Sequence, residues 1–229
     1  MVNHYTANLR LRSNDAYTAG GKAGFRPDRT VDTYTKILKK LYPHTPVVVG
    51  GIEASLRRLT HYDYWSDKLQ RSILDTSGAD LLVYGMGDKP IREVAKAMRN
   101  GFNMKLLRGL RQVGFVADRE YVERLFAGKI IVLNSFEECQ GDKRKFGENF
   151  CHIETLSNMM ECQTTLVERV GDSYVVITPP HETLTTEELD KSFDLPYERA
   201  PHPRYRDKGD IPAWEMIKHS INIHRGCFG

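Results

Sequence analysis

PVVVGGIEASLRRL, residues 46–59, is the stretch whose reading decides the fold. Val47, Val48 and Val49 form a continuous β-branched run, the pattern of a strand buried on both faces of a parallel sheet. Gly50-Gly51 breaks the run, and IEASLRRL opens a helix with Glu53 near its positive end. Strand, glycine turn and helix N-terminus together make a geometry that receives anionic ligands. ADLLVYGMGDKPIREVAKAM, residues 79–98, repeats the device. Leu81, Leu82 and Val83 form its strand and Gly85-Met86-Gly87 its turn. Asp88 is the expected N-cap, and Pro90 sits in the first helical turn, where its missing N–H costs little. Two such units in succession predict an α/β fold: a partly parallel sheet with flanking helices and right-handed crossovers. Their turns would meet at the carboxyl ends of the strands, where such sheets bind ligands. The candidate binding residues are therefore Gly50, Gly51, Arg57, Arg58, Gly85 and Gly87. No G-x-G-x-x-G is present, so a dinucleotide site is not supported.

Upstream, residues 1–29 read as irregular chain mixing Gly20, Gly21 and Gly24 with Arg10, Arg12, Lys22, Arg26 and Arg29. That composition suits either a loop closing over a phosphate or carboxylate or, more simply, a solvated surface loop. Residues 31–41 place Val31, Tyr34, Ile37, Leu38 and Leu41 at helical spacing, and Pro43 ends the helix. Residues 61–76, HYDYWSDKLQRSILDT, crowd aromatics around His61, Asp63 and Asp67. His and Asp two apart can ligate a metal, but a polar helix joint is the simpler expectation.

Downstream, residues 103–117 suggest a short extended pair about Gly109 or Gly114, and residues 128–135 another strand. Residues 136–170 read as two helices, the longer over roughly 148–169 with Phe150, Ile153, Leu156, Met160 and Leu166 available for a core. His152 and Glu154, at i and i+2, do not share a helix face. Residues 172–180 form a strand closed by prolines, and TTEELDKSF a short helix capped by Thr185 or Thr186. Residues 194–213 hold four of the ten prolines among many charges, which is linker chemistry. The expected organisation is an α/β domain over 1–135, a helical and strand extension over 136–193, a linker over 194–218, and the first strand of a new domain over 219–229.

The 229 residues are 40% hydrophobic and 28% charged, as in an ordinary globular chain. Net charge of +3 is too mild to imply nucleic acid. No apolar run approaches the roughly 20 residues of a membrane helix, and the N-terminus lacks a signal-peptide core. The four cysteines, Cys139, Cys151, Cys162 and Cys227, include no C-x2-C pair, which argues against a structural zinc site. Free thiols and a cytoplasmic location are expected.

The last residues, SINIHRGCFG (220–229), resemble the opening of the radical S-adenosylmethionine (radical SAM) core. There a first barrel strand leads into a C-x3-C-x2-C loop. With GGIEASLRRLTHYDYWSDKLQRSILD, ADLLVYGMGDKPI and FDLPYERAPHPRY in the same order, nearly the whole chain resembles the YgiQ-like radical SAM family. The resemblance implies a cytosolic iron–sulfur protein, with Cys227 as the first metal ligand of a 4Fe-4S cluster and a truncated barrel starting at the chain's end. In the full-length parent three thiolates would leave one iron open to S-adenosylmethionine, whose reductive cleavage yields a 5′-deoxyadenosyl radical. This chain would then be an accessory fragment, itself inactive, with the missing C-terminal barrel as its partner in cis and neither cluster nor S-adenosylmethionine bound to it. VVVGG with ADLLVYGMGDKPI is also similar to the later half of cobalamin-binding, Rossmann-like domains. The second turn, Gly85-Met86-Gly87-Asp88, keeps only part of the GEGE pattern of those domains, and their cobalt-ligating half is missing. Both departures argue against cobalamin.

The alternative from another class is a nucleic-acid-binding or RNA-modifying α/β protein, with Arg57 to Trp65 facing phosphate and base. Interleaved acids disfavour it. A hydrolase or transferase finds no support, since neither G-x-S-x-G nor a Walker motif occurs.

Overall fold

The computed structural model describes residues 4–125 and 128–221, which fall into two compact units. The larger, Val31–Phe193, is built on a six-stranded sheet. Its strands are β1 (Val48–Val49), β4 (Leu81–Val83), β5 (Val113–Ala117), β8 (Ser173–Ile177), β7 (Thr165–Val170) and β6 (Ile130–Leu133), in that spatial order. The outer pairs β1–β4 and β6–β7 are parallel; the three central pairings are antiparallel. Two crossover units, one at each edge, are thus joined through an antiparallel centre, and the expected partly parallel α/β sheet is present.

Helices cover both faces. On one side Leu82, Leu166, Val175 and Ile177 pack with Ala54 of α2 (Gly51–Leu56) and Ile73 and Leu74 of α3 (Ile73–Ser77). Val31 of α1 (Thr30–Leu41) and Ile153 and Leu156 of α7 (Lys143–Ser157) complete that layer. On the other side Leu81, Val83, Val113, Phe115, Val167 and Val176 meet Val94 of α4 (Asp88–Arg99) and Val122 of α5 (Arg119–Leu125). Leu81 and Val83 face one layer and Leu82 the other, the period-two alternation of a strand. Covering on both sides explains why LLV is apolar throughout.

Local chemistry sets the element ends. Asp32 in the first turn of α1 and Lys39 and Lys40 in its last complement the helix dipole. Asp80 accepts the Val47 N–H at 2.7 Å and the Lys39 ammonium at 2.9 Å, which pins the start of β1. Ser135 and Glu138 close a capping box on α6 (Phe136–Gly141), and Thr185 and Glu188 exchange the same pair of bonds before α8 (Thr186–Phe193).

Several expectations need correcting. Residues 61–70 are a β-hairpin, β2 (His61–Asp63) against β3 (Lys68–Gln70), not a helix joint. Asp63 accepts the Ser66 N–H and hydroxyl, so its side chain builds the turn. The helix expected to reach residue 169 stops at Ser157, and TLVERV is β7 instead. Leu166 is buried as expected, but on that strand, whereas Phe150 and Met160 are 57% and 92% exposed. A β-branched run followed by Gly171 in a turn pairs with β8 more favourably than it extends a helix. Residues 106–109 form a 3-10 turn, so only 113–117 is extended there, and Asp88 is the first residue of α4, with Gly87 at the N-cap. Helix α5 was not legible.

The smaller unit joins residues 1–30 with 194–229. Its described part holds isolated bridges, a 3-10 turn at Pro203–Lys208 and α9 (Pro212–Ile217). Buried Asp15 takes a two-point ion pair from Arg26, both bonds 2.7 Å, and this holds its carboxyl below the usual range. Gly20 donates to the Asp210 carbonyl at 2.8 Å. The glycines and Arg26 of residues 1–29 thus serve the unit's own packing.

Candidate functional site

Four predicted residues come together. Gly50, Gly51, Gly85 and Gly87 line one cleft of about 360 Å³ at the carboxyl ends of β1 and β4, with Asp88 and Ile91 on its α4 side. The reason for these glycines is internal. A Cβ on Gly50 would lie 3.2 Å from the Val83 carbonyl oxygen, and one on Gly87 3.0 Å from a Val83 methyl. Gly85 has φ +64°, and its Cβ would press on the Gln112 amide at 3.3 Å. Gln112 clamps that turn: its Nε2 donates to the carbonyls of Tyr84 (2.6 Å) and Met86 (2.9 Å), while its Oε1 accepts the His181 N–H. Gly51 alone has φ +80° with open space beside it. An anion finds little here. Helix α2 is a single short turn and a half, its Glu53 already accepts the Val31 N–H, and α4 begins with an aspartate. Among the described residues, no histidine lines the cleft.

The two arginines lie elsewhere. Arg57, 17% exposed, pairs with Glu53 at 3.5 Å and with buried Asp63 at 3.8 Å. Arg58 turns inward. Its Nη1 donates to the Ser55 carbonyl at 2.6 Å, and its guanidinium carbon stands 5.2 Å from the centre of the Tyr84 ring. Its buried Nε has no hydrogen-bond partner, and among the described residues Arg58 makes no ion pair. Burial disfavours its charge and lowers its pKa; burial likewise raises that of Tyr84, whose hydroxyl donates to the Thr178 carbonyl at 2.6 Å. With both cations of Arg57–Trp65 turned toward the protein, that stretch is poorly suited to a nucleic-acid backbone.

Arg58 and Tyr84 line a second cavity of about 280 Å³, which the sequence did not reveal. Ile153, Leu156, Leu166, Ile177 and Pro180 give it apolar walls, and Gly85 is shared with the glycine cleft. Arg111 staples the rim: it donates to the carbonyls of Pro180 and Cys162 and to the Gln163 side chain. Arg58 also borders a third cavity, of about 420 Å³, with Thr60, Tyr62 and Phe150. Beside it Glu168, only 1% exposed, accepts the Thr60 N–H at 2.9 Å, and burial pushes its carboxyl up to about 7. Arg58 was among the candidate binding residues read from the sequence, whereas nothing in TLVERV marked Glu168 as buried.

Among the described residues no three His, Cys, Asp or Glu side chains are arranged to hold a metal ion. His152 and Glu154 are exposed on α7. Buried Cys139 receives the Asn149 amide at 3.3 Å, and burial pushes its thiol up to about 11, which makes it unreactive. Cys227, with the strand expected at residues 220–223, lies outside the described residues but for Ser220 and Ile221. A 4Fe-4S cluster needs three thiolates where the matched motif supplies one, so the residues present do not by themselves fit it.

A family model described as radical SAM N-terminal matches residues 1–220. The chain is 52% identical over 236 residues to a UPF0313 protein of Porphyromonas gingivalis and 50% identical over 238 to one of Bacteroides thetaiotaomicron. It is 43% identical over 231 residues to one of Clostridium botulinum. Each alignment covers all of this chain but only 36%, 38% and 35% of the respective relative. No solved structure matches.

Proposed function

The chain belongs to the radical SAM N-terminal family, and from that premise we propose that it is the accessory, ligand-side region of a longer radical SAM iron–sulfur enzyme. The observation that carries this reading is a match along the whole chain to relatives of which it spans little more than a third. In the longer protein a 4Fe-4S cluster would bind and cleave S-adenosylmethionine, with Cys227 as one of its thiolates. This region supplies the α/β sheet, whose cavities beside Arg58 offer room for a small molecule. Among the described residues no helix is long and apolar enough to cross a membrane. A cytoplasmic location is proposed on the free thiols Cys139, Cys151 and Cys162.

The test uses the chain extended through its native downstream sequence and reconstituted without oxygen with iron and sulfide. The expected product is brown, shows the electron-spin signature of a reduced 4Fe-4S cluster, and releases 5′-deoxyadenosine from S-adenosylmethionine on reduction. Cys227→Ala should abolish colour and product together. A colourless product, or a cluster indifferent to Cys227→Ala, would refute the proposal.

A further inference from the structure

We propose that the cavity between Arg58 and Tyr84 binds a small organic monocarboxylate with an apolar body. This deepens the accessory-region reading, on which it rests for treating the sheet as a ligand-side domain. Its physical grounds are separate. A half-buried guanidinium without a carboxylate is costly, because the protein replaces little of the water it displaces. Here Nη1 is held by the Ser55 carbonyl and the buried Nε has no partner, so the Nε–Nη2 edge is open to an incoming acceptor. Two N–H groups in a plane are the edge that a carboxylate meets with both oxygens.

Of the other polar groups on the wall, Ser157 Oγ donates to the Glu154 carbonyl and Cys162 Sγ to the Thr164 carbonyl. Tyr84 donates to the Thr178 carbonyl, Thr178 Oγ1 exchanges bonds with Val113, and Ser55 Oγ accepts the Gly85 N–H, so that its own proton remains to be donated. Ile153, Leu156, Leu166, Ile177 and Pro180 supply most of the apolar lining, and Ser157, Cys162 and Thr164 complete the wall. A volume of about 280 Å³ lies near the lower end of small-molecule sites, whose pattern is apolar walls with few polar anchors. Inorganic phosphate fits poorly: its charge and oxygens call for several cationic donors, whereas the single cation of this wall suits a single carboxylate. Aromatic contact with Tyr84 fixes the plane of the guanidinium in advance.

Titration calorimetry of the full 229-residue chain tests this with 3-phenylpropionate as probe, 3-phenylpropan-1-ol as its neutral counterpart and inorganic phosphate as the bare anion. Saturable binding of the carboxylate is expected at millimolar concentration or below, with the alcohol and phosphate each at least tenfold weaker. Arg58→Gln should weaken carboxylate binding at least tenfold. Ser157→Trp, an exposed position on the rim, should do the same by blocking the mouth while leaving the guanidinium and the circular dichroism unchanged. The assignment is overturned if the carboxylate does not bind, if the alcohol or phosphate binds as well, or if both variants retain binding. The titration needs no cluster. A colourless extended protein would leave its result standing, and failed titration would leave the cluster test untouched.

Discussion

The glycine cleft and the arginine cavity grow from the same stretch and share Gly85, yet they use their chemistry in opposite ways. In the cleft, the residues that looked free for a ligand are consumed by backbone packing against Val83 and Gln112. In the cavity, Arg58, read from the sequence as a candidate binding residue alongside those glycines, is half-buried with its Nε unbonded. Small residues mark close approach without saying what approaches. An unpaired buried charge says more, because its burial is unfavourable until something compensates it.

The test with the largest expected effect asks whether the charges around Arg58 are truly unpaired. Were Glu168 to pair with Arg58 in solution, its carboxyl would fall below 4.5; burial instead raises it to about 7. Below pH 4.5 the proton is bound in folded and unfolded chain alike. Between 4.5 and 7 only the folded chain keeps it, so stability should fall as pH rises through this window, by on the order of 3 kcal/mol, and level off above. Glu168→Gln should flatten that slope in urea melts taken from pH 4.5 to 7.5. An unchanged slope would mean that another group titrates, and a slope of opposite sign that the ion pair exists.

On the cleft side, Gln112→Ala removes two bonds to the Gly85 turn and one to His181 from a buried position. A loss of about 2–3 kcal/mol is expected, read as a lower urea midpoint. Gly87→Ala, which sets a methyl 3.0 Å from Val83, should cost about 1–2 kcal/mol through overpacking. If Gly87→Ala is as stable as the parent, the cleft glycines are not there for packing and a ligand reading of them revives.

Much of the larger unit was legible because β1 and β4 are continuous apolar runs closely followed by glycine turns and helix starts, a pattern that suits a doubly covered strand. β7 was not, since TLVERV, its apolar residues interrupted by Glu168 and Arg169, fits helix or strand until its partner β8 is known. Nor was the second cavity. Its walls come from residues 55–58, 84–85, 153–166 and 177–180, segments joined only by the sheet order. The glycines of the candidate site were found, but their purpose was not, because close approach to Val83 is a fact of the parallel pairing and not of the motif.

The adjacent arginines give the smallest effect and the sharpest contrast, since the sequence RRL offers nothing to tell them apart. Arg57 sits between Glu53 and Asp63, so Arg57→Met leaves two half-shielded or buried carboxylates without their cation. That should cost about 1–2 kcal/mol, less than a fully buried pair because water still reaches Arg57. Arg58→Met removes a charge that no carboxylate compensates. Relief of its desolvation opposes the loss of the Ser55 bond and the Tyr84 contact, so stability should move by less than about 1 kcal/mol in either direction. Carboxylate binding should nonetheless disappear in Arg58→Met and survive in Arg57→Met. Paired melts and titrations of the two variants separate a residue held for the fold from one held for a ligand; equal destabilisation with binding intact in both would erase the distinction.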